Sequence, residues 1–265
     1  MNPPMTVSLI VSTFNQPDFL QRVLDAIGRQ SRPPQEILLA DDGSADETRA
    51  IFSQWSARQK LASQHIWQAH DGFRKAHILN RAVAAAKSAY LIFLDGDMVP
   101  QQDFIADHCA AARPAAFVQG HRALVEQTAA VWFGRRELAA DRRRALWQGQ
   151  LSGWKNAWRW PWPVVAEKKH LRGIRGCNLS LWREDMLRVN GYNEAFTGWG
   201  REDSEFAARL MNAGIRRLDL RGRAVCFHLW HPPASRGQLP ANDRLLENTI
   251  GEKITRCEHG LDRHL

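Results

Sequence analysis

Asp95 and Asp97 stand one glycine apart at the end of an apolar run, in YLIFLDGDMVP (residues 90–100). Like charges this close repel, and each is costly to take out of water. Carboxylates at this spacing suit a hard divalent cation, Mg2+ or Mn2+, of the kind shared with substrate phosphates. A plain turn after a strand would use the same residues. An aspartate-nucleophile phosphohydrolase also carries a DxD, but on its first strand, whereas three strand-like runs precede this one. A second group is GWGREDSEF (198–206), where Gly198 and Gly200 flank Trp199. Glu202 and Asp203 fall at a helix start, where the dipole favours negative charge. The sharper reading makes Asp203 a general base and Glu202 its partner in binding a hydroxyl substrate. The third is CFHLWHP (226–232), with His228 and His231 three apart. Paired histidines are often structural, but neutral imidazoles also bind borderline metals. Beside an acidic rim, completing a metal site is the better reading.

These residues need elements to hold them. TVSLIVST (6–13) reads as a buried strand rich in β-branched residues. Pro17 opens a helix in which Phe19, Leu20, Val23, Leu24 and Ile27 recur at helical spacing. EILLADD (36–42) is a second strand, and Ser44 with Glu47 predicts a capping box starting a helix to about residue 61. QHIWQ is a third strand, 75–87 a helix and 89–94 a fourth strand. Repeated strand–helix units imply an α/β fold, with a mostly parallel, Rossmann-like sheet covered by helices on both faces. Ligands collect at the carboxyl ends of such strands. STFN (12–15), DDGS (41–44) and DGD (95–97) all fall there, and without ligand the two DGD aspartates are expected to face solvent. Further on, IRGCNLSLWRED predicts a strand feeding a short helix, and NGYNEAFTGWGREDSEFAARLMNAG a turn and a helix. The segment after Pro240 is polar, and its end is expected to be loosely held.

A chain of 265 residues, 44% of them apolar, can bury one large α/β core or two small ones. Four cysteines without CxxC spacing read as reduced thiols in a cytoplasmic setting, not a disulfide framework. The first fifteen residues read as a first strand rather than a cleaved leader. No run approaches the roughly 18 apolar residues of a membrane-spanning helix. The net charge of +8 suits nucleic acid, an anionic membrane or a phosphate-bearing substrate, or belongs to a protein that is merely basic.

VSLIVSTFNQPDFLQRVLDAI, ILLADDGSADET, GFRKAHILNRAVAAAKSAYLIFLDGDMVP and NGYNEAFTGWGREDSEF, in this order, resemble the family 2 glycosyltransferases of the GT-A fold. The C-terminal half is similar to β-1,4-galactosyltransferases and bacterial chondroitin-type polymerases. The resemblance implies one GT-A domain over 1–265: a nucleotide-sugar-binding half (1–125), an acceptor half (126–240) and a tail (241–265). It implies that Thr13, Phe14 and Asn15 line the nucleotide pocket, that Asp42 binds the base or ribose, and that Arg74 and Lys75 approach the diphosphate. Asp95 would contact the ribose or the metal through its water, and Asp97, His228 and His231 would ligate the metal. Trp199 and Gly200 would meet a sugar, Asn178 the donor sugar and Glu202 the acceptor, with Asp203 as base. The implied reaction moves a hexose or N-acetylhexosamine from a nucleotide sugar, UDP-linked by expectation, to a hydroxyl of a glycan or lipid-linked acceptor. Inversion, dependence on Mn2+ or Mg2+ and a place in bacterial surface polysaccharide or lipopolysaccharide synthesis go with it. One departure stands out: the galactosyltransferases carry methionine at the position of His228, so the extra imidazole is expected to relax a Mn2+ requirement.

Residues 132–172 interleave arginines and lysine with Trp147, Trp154, Trp158, Trp160 and Trp162. Such a stretch suits peripheral contact with an anionic membrane surface, an acceptor-binding loop, or packing against the sheet. A basic nucleic-acid-binding protein would use the same residues, but leaves the strand-end clusters and histidines idle, so no nucleic acid is expected. A non-catalytic sugar-binding module on the same fold is the nearer alternative.

Overall fold

The apolar runs of the first hundred residues become neighbouring strands. The computed structural model describes residues 5–265. In chain order the strands are β1 (Val7–Thr13), β2 (Glu36–Asp41), β3 (Ala62–Trp67), β4 (Tyr90–Asp95), β5 (Met98–Pro100) and β6 (Ala116–Gln119). Then follow β7 (Arg122–Val125), β8 (Leu151–Ser152), β9 (Val164–Lys168), β10 (Asn178–Trp182), β11 (Arg216–Arg221) and β12 (Cys226–Leu229). The helices are α1 (Pro17–Ile27), α2 (Asp46–Arg58), α3 (Lys75–Ala85), α4 (Phe104–Ala111) and α5 (Gln127–Ala130). They continue with α6 (Leu138–Trp147), α7 (Arg183–Arg188), α8 (Glu202–Asn212) and α9 (Leu239–Gly251).

Eight strands form one sheet in the order β3-β2-β1-β4-β10-β6-β11-β9. β3, β2, β1 and β4 are parallel, while β10 runs against both its neighbours and β9 against β11. Side chains alternate across a strand, and here both faces are covered. Val7, Leu9 and Val11 enter one core with Leu20, Val23 and Phe52 from α1 and α2. Ile10, Leu38 and Phe93 enter the other with Ile78, Leu79 and Phe206 from α3 and α8. This two-sided burial explains why the strands read as continuous apolar runs. Chain order reverses beside β1, which has β2 on one side and β4 on the other, so the carboxyl end of β1 opens a crevice.

A second sheet, β5-β12-β7-β8, leans on this frame. Its register sets His228 of β12 opposite Met98 of β5, next to Asp97. Two local expectations are overturned. The capping box does not form: α2 starts after Ala45 without a side-chain cap. Ser44 Oγ instead accepts the N–H of Asn15 at 2.9 Å, and Asn15 has the left-handed backbone (φ 47°) that a non-glycine residue adopts with support. The end of the segment after Pro240 is also not loose. α9 packs on α8, and a short 3-10 helix, Leu261–His264, buries Leu261 completely.

Candidate functional site

The strand register gathers the rim. Ser12 lies opposite Asp95 and Thr13 opposite Asp41, so the ends of β1, β2 and β4 are level. Asp42 donates its N–H to the Thr13 carbonyl at 3.0 Å. Its carboxylate accepts the Arg74 N–H at 2.8 Å and the Gln68 amide. Burial raises the Asp42 pKa against those hydrogen bonds. Phe14, 41% exposed, stacks on His70 with ring centroids 4.5 Å apart. Asn15 Oδ1 accepts the Ala45 N–H, and the Thr13 hydroxyl is buried without a partner. These residues make a slot with one flat aromatic wall and an acidic floor.

Arg74, the N-cap of α3, and Lys75, its first residue, behave unequally. The Arg74 guanidinium turns outward to the Ala69 carbonyl (2.7 Å) and Asp71 (3.6 Å). Lys75 turns inward, with Nζ 2.7 Å from Asp95 Oδ1, which also accepts the Ser12 hydroxyl at 2.6 Å. Burial alone would lower the Lys75 pKa, but Asp95, Asp203 and Glu202 together raise it well above its ordinary value. Lys75 is thus the counter-ion of an acidic cluster. Gly96 closes the turn: a Cβ there would lie 3.0 Å from the Ser12 carbonyl.

Asp97 Oδ2 lies 2.9 Å from His231 Nε2 and 3.4 Å from His228 Nε2, while Oδ1 is buried without a partner. Ligand atoms of the three residues lie within 4.8 Å of one another. His231 Nδ1 contacts the Pro232 carbonyl at 2.8 Å, the contact of a protonated Nδ1, so that Nε2, which faces Asp97 Oδ2, is the nitrogen that can bind a metal once it has lost its proton. Burial would raise the Asp97 pKa, but the two imidazoles hold it far below the carboxylate range. An orphaned carboxylate oxygen beside two imidazoles fits a divalent cation. Asp95 and Asp97 therefore do not simply face solvent as expected. One is neutralised by Lys75 and the other by histidines, and Asp95 stands outside the His/Asp group.

Asp203 and Glu202 begin α8 behind a loop of left-handed residues, Gly198 (φ 71°), Gly200 (φ 111°) and Arg201 (φ 75°). Asp203 Oδ2 accepts the Gly176 N–H at 2.6 Å, and Oδ1 is buried with no partner. A Cβ on residue 176 would lie 2.2 Å from that Oδ1, so only glycine lets the carboxylate sit there. Burial raises the Asp203 pKa against the pull of Lys75. Burial and the charge of Asp203 push Glu202 up to about 7. Glu202 also accepts the Gly200 N–H at 3.0 Å. Trp199 is 40% exposed, with the Arg236 guanidinium 5.6 Å above its ring. Asn242 of α9 donates to the Gly200 carbonyl at 2.9 Å, so the supposed tail braces this loop.

Asn178 is not brought to the cleft. Its amide donates to the His121 and Ala224 carbonyls and accepts from His108 at 2.8 Å, deep in the core. Two site residues escaped the sequence reading. Arg122, at the start of β7, lies among Cys177, Asp95 and Asp97, which hold its charge. Gly176 holds Asp203. Arg122 lies in no motif, Gly176 lies in the IRGCNLSLWRED stretch but without a role read for it, and only the packing of distant elements brings both in. In the basic segment, Trp160 packs over Gly222 and Trp158 lies under Arg142 at 4.2 Å. Trp147 and Trp162 stand out at 87% and 82% exposure.

Residues 8–158 match glycosyl transferase family 2, and residues 163–231 match the N-terminal domain of galactosyltransferase. The chain is 30% identical over 238 residues to validoxylamine A glucosyltransferase of Streptomyces hygroscopicus subsp. limoneus, over 79% of this chain and 48% of that protein. It is 25% identical over 280 residues to chondroitin synthase of Pasteurella multocida (strain Pm70), over 97% of this chain and 28% of that protein. The chain thus spans about half the length, or less, of these curated relatives. The crystal structure of S. aureus TarS 1-349 in complex with UDP-GlcNAc superposes with a TM-score of 0.66 at 16% identity. The match covers 98% of this chain and 69% of that one. The architecture is that of the GT-A glycosyltransferases.

Proposed function

Because this chain belongs to glycosyl transferase family 2, we propose that it moves a hexose or N-acetylhexosamine from a nucleotide sugar to a hydroxyl of a glycan or lipid-linked acceptor, with inversion. The observation that carries this reading is Asp203 Oδ1, a buried carboxylate oxygen with no partner, held by Gly176 beside the Lys75–Asp95 pair. Raised above the ordinary range by burial, Asp203 is a stronger base than an exposed carboxylate and takes the proton of the acceptor hydroxyl. The oxygen so freed attacks the anomeric carbon opposite the nucleotide, and the departing diphosphate keeps the electron pair of the broken C–O bond. Glu202, with a pKa near neutrality, hydrogen-bonds the acceptor, and Trp199 offers its open face to a sugar ring. Thr13, Phe14, Asn15 and Asp42 seat the nucleoside, and Lys75 orients Asp95 toward the ribose. Asp97, His228 and His231 would hold a divalent cation, which when bound supplies positive charge for the departing diphosphate.

UDP is the nucleotide we favour, supported by the likeness to a protein solved with UDP-GlcNAc. Among the described residues no helix is long and apolar enough to cross a membrane. The exposed Trp147, on the same helix as Arg143 and Arg144, and the exposed Trp162 suit peripheral contact with anionic lipid carrying the acceptor, at the cytoplasmic face. Surface polysaccharide or lipopolysaccharide is the product class this arrangement serves.

Turnover of a panel of UDP-hexoses and UDP-N-acetylhexosamines, read as acceptor-dependent UDP release, tests the reading. The wild type is expected to turn over one of them. Asp203→Asn is expected to lose about 10²–10⁴-fold in rate while still binding UDP. Undiminished turnover in Asp203→Asn would overturn the assignment, and nucleotide binding without any turnover would point to a sugar-binding module.

A further inference from the structure

A second group of ligand-type side chains lies outside the cleft. His77 comes from α3, Glu194 from the loop after α7 and His264 from the last 3-10 turn. His264 Nε2 is 2.6 Å from Glu194 Oε1, and the two imidazole rings meet edge to face with centroids 4.9 Å apart. One ligand atom from each of the three lies within 4.8 Å of the other two.

The surroundings orient these groups as a metal site requires. Gln68 donates its amide N–H to the Asp42 carboxylate, which turns its Oε1 toward His77 Nδ1 at 2.6 Å. Only a protonated Nδ1 can satisfy that contact, so Nε2 of His77 keeps its lone pair. A metal-binding histidine has this tautomer, with the other ring nitrogen donating to a fixed acceptor. Glu194 Oε1 accepts the Asn80 amide at 2.9 Å. Asn80 is itself fixed by the backbone of Tyr192, donating to its carbonyl and accepting its N–H, both at 2.8 Å. His264 stands on a turn anchored by buried Leu261, whose N–H donates to the Asn190 carbonyl at 2.9 Å. An ion pair between His264 and Glu194 alone would need neither the prepared tautomer of His77 nor its approach.

We propose that His77, Glu194 and His264 form a second cation site, separate from the Asp97 group, for a borderline divalent ion of the Zn2+ class. Two imidazole nitrogens and one carboxylate oxygen are a familiar donor set for zinc, with a fourth position left for water. Tetrahedral zinc–ligand bonds of ~2.0–2.1 Å set ligand atoms roughly 3.3 Å apart, so the ion would spread the 2.6 Å contact of His264 with Glu194. The ion would fasten the segment after α9 to α3. Through Gln68, the same helix is linked to Asp42 in the nucleotide slot.

The test uses Zn2+ alone on metal-stripped protein, counting bound metal after gel filtration and following the melting temperature. Asp97→Asn with His231→Asn disables the rim group. That variant is expected to keep one equivalent of Zn2+ and to melt a few degrees higher with it. Adding His77→Gln and His264→Gln should remove both uptake and shift. Glu194→Gln, which keeps the hydrogen bond from Asn80, carries the same expectation should the histidine variants not fold. Equal Zn2+ uptake with and without these substitutions would overturn the proposal, as would a rim-disabled protein that takes up no Zn2+.

Discussion

Lys75 is the residue on which the electrostatics of the cleft turn. Its ammonium lies 2.7 Å from Asp95 and also draws down the pKa of Asp203 and Glu202. Asp203, the proposed base, must be ionised to act, so the proposal expects activity to fall as pH drops through the Asp203 pKa. Lys75→Met removes the cation and raises that pKa further, so the acid limb of the kcat/KM profile should move to higher pH. An unmoved limb would mean that Lys75 does not act on the base. Gly176→Ala places a methyl group 2.2 Å from Asp203 Oδ1, and a displacement of about 1 Å at a reacting group costs on the order of 10²-fold in rate. Steady-state kinetics of the folded variant would check it. The second imidazole at His228 leads us to expect activity with Mg2+ as well as Mn2+; assays with each metal would show strict Mn2+ dependence if the idea is wrong. That Asp97, His228 and His231 gather in one group was legible in the sequence, and so was Asp203 at the start of α8, because both lie in short motifs. Lys75 as counter-ion, Arg122 and Gly176 were not, since their roles exist only once distant strands are in register.

At the scale of elements, α8 carries a buried ion pair within one of its turns, and the pair ties the helix to its neighbours: Arg209 donates to the Val189 carbonyl and Glu205 accepts the Thr249 hydroxyl of α9. Arg209 gives both Nε and Nη2 to Glu205, at 2.8 and 2.9 Å, and both residues are almost wholly buried. Breaking such a pair from one side costs about 3–5 kcal/mol, so Arg209→Ala should lose that much in urea unfolding and loosen the helix that carries Asp203. His108 ties α4 to β10 through Ser180 and Asn178, each at 2.8 Å. Burial holds its pKa down to about 4, against 6.5 for the free side chain. Below 6.5 the unfolded chain takes up a proton that the folded one refuses until about 4, so stability falls as pH falls through that window. From pH 6.5 to 5 the loss is about 2 kcal/mol. His108→Gln should flatten this slope in urea unfolding at the two pH values, and an unchanged slope would assign the loss to other groups. The apolar runs announced β1 to β4 correctly. They carried no sign that β10 runs antiparallel, because strand direction is set by connections rather than by local pattern. Ser44 misled for a related reason: its hydroxyl serves the β1–α1 loop instead of its own helix.

For the molecule as a whole, the basic aromatic face is the feature composition made visible without saying what it meets. Trp147 and Trp162 are exposed, while Trp160 packs over Gly222 and belongs to the fold. Vesicles rich in phosphatidylserine should bind the protein at low ionic strength and release it as salt rises, each basic residue near the surface contributing roughly 1 kcal/mol. No sedimentation with such vesicles at low salt would leave the face to a soluble acceptor. The segment after Pro240 was the part least legible in the sequence. It is held by contacts with elements far away in the chain, the Asn242 amide with the Gly200 carbonyl and the Leu261 N–H with the Asn190 carbonyl. What joins all scales is the claim that one rim, at the ends of β1, β2 and β4, holds nucleotide and cation together. Calorimetric titration of UDP, with and without Mn2+, into the wild type and Asp97→Asn measures this most directly. The account predicts tight binding only for the wild type with Mn2+ present, weakened on removing either the cation or the carboxylate. UDP binding equally well in all four combinations, or in none, would contradict it.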